Sequence, residues 1–291
     1  MRLCSYLDMG RAGIAVDDER GVRRDLAGTG LPSSLLALIE EGEEAFRQLR
    51  RIDPVSLPEL APSSRITAPL PTPRRNIFCV GKNYRAHARE FERSGFDATG
   101  GADLPEAPII FSKATTSVIG PNDPIPHAYD PFDTVDYEGE LAVVIGKGGR
   151  TIPRGSALAH VFGYTIVNDV TSRGAQKKHK QWLLAKGIDG FCPMGPAVVT
   201  ADEIPDPAAL RLTTTVNGEM RQDAAVADLI FDVPCLIETI SAFITLLPGD
   251  ILATGTPEGV GLGFVPPKFL RPGDVVRIAI APIGILENPV V

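Results

Sequence analysis

Cysteine is scarce and scattered: Cys4, Cys79, Cys192 and Cys235 are the four in 291 residues. None belongs to a Cys-x-x-Cys pair, so neither a zinc site nor a disulfide framework is expected. Each reads as a small buried apolar residue. No apolar run reaches membrane-spanning length, and the N-terminus lacks the basic, apolar, small-residue order of a leader. A soluble, cytoplasmic protein without a membrane partner is the expectation. Positive charge is in deficit as well: 29 Lys and Arg against 36 Asp and Glu leave a net charge of −7, which opposes nucleic-acid binding. The one basic cluster, Lys177-Lys178-His179-Lys180, is either a solvated helical face or an attraction for an anionic substrate. The glycine-rich stretch 254–263 lacks both G-x-G-x-x-G spacing and a P-loop ending, so neither nucleotide fingerprint is present.

What is there reads as an ordinary globular chain. The AVILMFWYC set makes up 44% and charged residues 22%, values that exclude disorder and fibrous repeats. The length allows one large or two unequal domains. Residues 1–70 read as a small N-terminal α/β module, with short strands near 3–6, 14–16 and 22–26. One helix follows, capped by Ser33 or Ser34, with Leu35, Leu38, Ile39, Phe46 and Leu49 at helical spacing. Prolines spread over 54–73 mark an extended linker. Residues 71–291 read as the domain that carries the chemistry. There Asn217-Gly218 predicts a hairpin, 237–246 a helix, and two Pro-Gly-Asp turns at 248 and 272 each launch a strand.

The chemistry centres on Asp136-Tyr137-Glu138-Gly139-Glu140, which runs into Leu141-Ala142-Val143-Val144-Ile145. The apolar run predicts a buried strand, and side chains two apart share a face, so Glu138 and Glu140 point the same way. Two carboxylates aimed into an apolar element need a cation to neutralise them. All-oxygen ligation suits Mg2+, Mn2+ or Ca2+ rather than zinc. A second strand over 161–169 brings Asp169, and neighbouring strands would join the three acids into one set. The competing reading is a solvated, salt-bridged pair on an edge strand.

Upstream, Gly81-Lys82-Asn83-Tyr84 leads into a short helix with His87 and Glu90 at i and i+3. A carboxylate there can orient the imidazole and raise its basicity, as in sites that deprotonate water; the alternative is an exposed ion pair beside Arg85 and Arg89. The stretch 94–103 reads as a hinge that makes this helix a lid, or else as surface slack. Lys186 either snorkels to water or binds an oxyanion. In 254–263, N–H groups freed by glycine, with the Thr254 and Thr256 hydroxyls, can hold a carboxylate or oxyanion. A plain turn is the other view.

In this order the residues resemble the fumarylacetoacetate hydrolase family. The likeness runs through Gly81-Lys82-Asn83-Tyr84 with His87 and Glu90, Phe111 and Lys113, and Asp136-Tyr137-Glu138-Gly139-Glu140-Leu141. It continues through Asn168-Asp169-Val170-Thr171, Gln176, Lys186, Val216-Asn217-Gly218-Glu219 and Thr254-Gly255-Thr256-Pro257. It implies an α+β, mostly β fold built as a mixed β-sandwich roll, a Mg2+ or Mn2+ site (Ca2+ in a crystal) and a homodimer. It further implies Glu138, Glu140 and Asp169 as metal ligands and His87 with Glu90 as a water-activating dyad. Lys186 would steady developing charge, and Lys113, Gln176, Gly255 and Thr256 would stand about the substrate.

Two departures bear on substrate preference. The family's Arg-Asp-x-Gln is here Arg173-Gly174-Ala175-Gln176, and its Lys-Ser-Phe is Lys186-Gly187-Ile188. The expected activity is metal-dependent hydrolysis of a C–C bond in a 2,4-dioxo acid, an acylpyruvate or a fumarylacetoacetate-like compound. Alternatives on the same site are oxaloacetate decarboxylation and isomerisation of unsaturated dioxo acids (2-hydroxyhepta-2,4-diene-1,7-dioate type). Non-catalytic metabolite binding is a third.

Overall fold

The computed structural model describes residues 1–93 and 104–291, with Glu92 and Arg93 described by their backbone only. The stretch 94–103, expected to be a hinge, lies outside the described residues. β1 (Arg2–Asp8), β2 (Arg11–Asp17) and β3 (Arg23–Asp25) form an antiparallel meander. α1 (Leu35–Glu41) is capped by Ser34, whose hydroxyl accepts the Ala37 N–H. The single helix expected here is in fact two. Gly42, at φ 71° and ψ −143°, leaves the helical region, closing α1 and opening α2 (Glu43–Arg51). The apolar spacing survives the break, since Leu38, Ile39 and Leu49 enter one core. Within the proline-rich stretch, β4 (Arg65–Ile66) pairs with β1.

The next strands are β5 (Ile77–Gly81), β6 (Ile109–Lys113), β7 (Val118–Ile119), β8 (Val135–Asp136), β9 (Gly139–Ile145), β10 (Val161–Asn168), β11 (Thr171–Ser172) and β12 (Cys192–Thr200). After them come β13 (Arg211–Val216), β14 (Glu219–Ala225), β15 (Ile251–Ala253), β16 (Val275–Ile280) and β17 (Gly284–Pro289). Among the described residues, four α-helices are set among these strands: α3 (Arg85–Arg93), α4 (Arg173–His179), α5 (Leu183–Lys186) and α6 (Val233–Phe243). Among the described residues the strands form an eleven-stranded sheet with the path β3-β2-β1-β12-β10-β9-β15-β5-β6, which β4 joins at β1 and β7 at β12. A four-stranded sheet, β14-β13-β16-β17, and a β8-β11 ribbon complete the α+β, mostly β fold.

Asn217 and Gly218, at φ 52° and 80°, make the expected turn between β13 and β14. α6 starts at Val233, before the expected 237, because the Asp232 side chain accepts the Cys235 N–H and Pro234 suits the first turn.

The pleat of the large sheet divides two cores. Along β9, Leu141, Val143 and Ile145 join Leu212 and Ile278 of the four-stranded sheet in one cluster. Ala142 and Val144 join Leu38 and Leu49 of α1 and α2 in the other. This is the two-residue period of a strand, and because both faces are covered, β9 and β10 are buried at every residue. Each fully buried aliphatic side chain there contributes roughly 1.5–3 kcal/mol. β9 is antiparallel to β10 and β15, while β15 is parallel to β5. The start of β9 therefore meets the ends of β10, β15 and β5, and the candidate site lies where they converge.

Candidate active site

Glu138 precedes β9, Glu140 is its second residue and Asp169 follows the last residue of β10. Val167 faces Glu140 in the register, and the Asp169 N–H donates to the Glu138 carbonyl at 2.8 Å. One carboxylate oxygen from each of Glu138, Glu140 and Asp169 thus lies within 4.8 Å of the others. They are 5%, 1% and 0% exposed, on central strands, which excludes a solvated edge pair. Gly139 faces the four-stranded sheet. A Cβ there would come within 3.2 Å of Gln222 Oε1 and closer still to Thr214 Oγ1.

Three buried cations answer these acids. Lys113 Nζ donates to Asp169 Oδ1 (2.7 Å) and to the carbonyls of Val170 and Lys186. Lys186, at the end of α5, does not snorkel: its Nζ donates to Asp169 Oδ2 (2.7 Å), Glu138 Oε2 (3.0 Å) and Thr171 Oγ1 (2.8 Å). The Ser172 side chain caps α4 by accepting the Ala175 N–H, which sets Arg173 and Gln176 one turn apart. Arg173 Nε donates to Asp136 Oδ2 (2.8 Å) and Nη1 to Gln176 Oε1 (3.1 Å). Its Nη2 forms an ion pair with Glu138 Oε1 at 2.7 Å.

The charges do not cancel. When all are ionised, Asp136, Glu138, Glu140 and Asp169 are four buried carboxylates against Lys113, Arg173 and Lys186, one negative charge in excess. Burial alone would raise Glu138, but Lys186 and Arg173, with a smaller part from His87, bring it down to about 2. Glu140 instead accepts the Gly255 N–H at 2.8 Å. Burial first, then the charges of Asp169 and Glu138, push Glu140 well above the usual carboxylate range. Surplus negative charge and an all-oxygen donor set fit a hard divalent cation such as Mg2+ or Mn2+. Glu138, Glu140 and Asp169 are the residues that would hold it.

His87 and Glu90 meet on α3, with Nδ1 and Oε2 3.0 Å apart. His87 is 5% exposed, so this is not a surface ion pair. The loop 254–263 does hold carboxylates, but they are the chain's own. Gly255 N–H donates to Glu140, Gly259 N–H to Glu90 Oε1 (2.9 Å), and the Gly261 and Leu262 N–H groups to Asp136 (2.7 and 3.0 Å). Thr256 Oγ1 accepts from Gln222 Nε2 (2.8 Å).

The pocket brings together His87, Glu138, Arg173, Gln176, Lys186 and Thr256. Phe91, Phe111 and Trp182 form its aromatic wall, with Trp182 edge-on to Phe111 and Phe91 at 5.1 and 6.5 Å. Lys113 and Gly255 stand one layer back, against Asp169 and Glu140. Sequence reasoning gave no role to Arg173 or Asp136. The available signal was a basic residue four past Asp169, at the start of α4, and an acid two before Glu138, at the end of β8. The first departure from the family also finds its reason. A Cβ on Gly174 would come within 2.9 Å of Phe132 Cδ1, and closer to Cβ and Cγ, so the Phe132 side chain takes the space of the missing aspartate.

A buried acid set beside an imidazole–carboxylate pair, at one end of a mixed sheet, is equipment for metal-assisted acid–base chemistry. The chain belongs to the fumarylacetoacetate hydrolase family: the profile described as Fumarylacetoacetate (FAA) hydrolase C-terminal matches residues 76–291. It is 44% identical over 297 residues to oxaloacetate tautomerase YisK of Bacillus subtilis (strain 168), across 96% of this chain and 95% of that one. Among solved structures it is similar to fumarylacetoacetate hydrolase (EaFAH) from psychrophilic Exiguobacterium antarcticum. That likeness has a TM-score of 0.87 and 42% identity, over 100% of this chain and 99% of that one. Maleylpyruvate hydrolase from Sphingobium sp. SYK-6, solved with manganese(II) and pyruvate, gives 0.78 and 33% over the same shares.

Proposed function

We propose that the chain is a divalent-metal enzyme that works on a 2-oxo acid through its enol form. The reaction the site supports best is keto–enol tautomerisation of a small 2-oxo acid of the oxaloacetate type. One observation carries this reading: His87, held by Glu90, shares a pocket with Glu138 of the acid set and with two cations, Arg173 and Lys186. The likeness to an oxaloacetate tautomerase along almost the whole chain supports it. Mg2+ or Mn2+ bound at Glu138, Glu140 and Asp169 would polarise the 2-oxo group and favour enolate charge.

The rest falls to the chain's own side chains. With Glu90 accepting the Nδ1 proton, His87 Nε2 is the basic nitrogen. It takes the proton from C3 of the keto form and delivers it to the 2-oxygen to give the enol; in the reverse direction it takes the hydroxyl proton and returns it to C3. Arg173 and Lys186 stand near the oxygen on which charge develops as buried positive charges, Lys186 with its three N–H bonds held by Asp169, Glu138 and Thr171, and their attraction strengthens as the proton leaves. Phe91, Phe111 and Trp182 keep water from the reacting carbon.

A second reading is hydrolysis of a C–C bond in a 2,4-dioxo acid, favoured by the same His–Glu pair, which suits activation of water, and by the likeness to a maleylpyruvate hydrolase. The test is to follow enol oxaloacetate by its ultraviolet absorbance, with a coupled assay for pyruvate and a parallel acylpyruvate assay. The tautomerase reading expects fast loss of enol with Mg2+ or Mn2+, none beyond background after chelation, and no matching pyruvate release. Cleavage of the acylpyruvate without tautomerisation would move the assignment to the hydrolase.

A further inference from the structure

We infer that Gly263, together with the Gly259 N–H, forms the seat of the Glu90 carboxylate and is thereby a positioning residue for His87. This rests on the acid–base reading of the His87–Glu90 pair. Glu90 is held at both oxygens, with Oε1 accepting the Gly259 N–H at 2.9 Å and Oε2 lying 3.0 Å from His87 Nδ1. Gly263 closes the remaining side. The three nearest atoms to a Cβ built there all belong to Glu90: Cγ at 2.6 Å, with Cδ and Oε1 closer still.

Backbone conformation is not what calls for glycine at 263. Gly259 sits at φ 95°, in the left-handed region, but Gly263 lies outside that region and its backbone suits any residue. Space is the requirement. The seat itself has little freedom to move. The Gly263 N–H donates to the Val260 carbonyl, and the Gly261 and Leu262 N–H groups are tied to Asp136, the buried partner of Arg173. Val260 and Leu262 also pack with Phe91 of α3 and with Phe269 in a small apolar cluster. A methyl group at 263 therefore displaces the flexible end of Glu90 rather than the loop, and the imidazole loses its orienting partner.

A double-mutant cycle of Gly263→Ala and Glu90→Ala, on the metal-loaded enzyme, tests this by kcat, melting temperature and Mn2+ affinity. Gly263→Ala should lower kcat by roughly ten- to a hundredfold, close to the loss in Glu90→Ala, with Mn2+ affinity within about twofold of the parent. In the Glu90→Ala background the same change should add no further loss in kcat or melting temperature, because the group it collides with is gone. A Gly263→Ala enzyme with parental kcat would overturn the inference, and so would a loss that persists undiminished beside Glu90→Ala. Parental kcat in Glu90→Ala itself would instead sink the acid–base reading on which the inference stands.

Discussion

Lys113 is a fully buried ammonium whose contacts are Asp169 and two carbonyls. Its removal leaves Asp169 with Lys186 as its remaining cation and two buried carbonyls without this donor, and breaking a buried ion pair costs about 3–5 kcal/mol. Lys113→Met should destabilise the metal-free protein by about that much in urea unfolding; a loss under about 1 kcal/mol would show that the pair is not needed to balance Asp169. At this scale the sequence was readable where function follows from local spacing. Glu138 and Glu140 two apart, and His87 and Glu90 three apart, announce shared faces before any tertiary contact is known. What could not be read was pairing at a distance. Arg173 meets Asp136 from 37 positions away and Gly255 meets Glu140 from 115, and no local period encodes either contact.

Elements were legible where their ends carry a chemical signal. Ser34 caps α1, and Asn217-Gly218 turns β13 into β14, both as read from the chain. The start of α6 was misplaced although Asp232 and Pro234 signalled it, because the apolar run from 237 outweighed the cap. The division of α1 from α2 had only Gly42 to mark it, and a lone glycine in a helical pattern costs too little to decide the matter. At the start of α4, the packing of Gly174 against Phe132 leads to a prediction. Gly174→Asp, the family's usual residue, should destabilise the chain by about 1–3 kcal/mol through overpacking. Phe132→Gly, which also removes the Cβ nearest to position 174, should recover most of that loss in the same chain, read as the melting temperature of the single and double variants. Independent, additive losses would show that Phe132 does not occupy the aspartate's space.

At the scale of the whole molecule, the sheet converts sequence order into one site. The class of fold followed from the family resemblance, and the family was readable from ordered motifs. The path of the large sheet was not, because its strands join neighbours far apart in the chain: Leu3 pairs with Val198 and Ala142 with Ala253. With Glu140 ionised, the site they build carries one surplus negative charge, which a divalent cation would reverse to suit an anionic acid. Glu140, raised by burial and by Asp169 and Glu138, must give up its proton before a cation can take its place. The sign follows directly. Metal binding releases a proton while pH lies below the raised Glu140 value, and affinity falls as pH falls through it.

Calorimetric titration of the chelated protein with Mn2+, in two buffers of different ionisation heat and at several pH values, measures stoichiometry, affinity and protons together. The account predicts one Mn2+ per chain, proton release that grows toward acid pH, and at least a tenfold weaker site in Glu140→Gln. Absence of binding, or an affinity unchanged by Glu140→Gln, would contradict it.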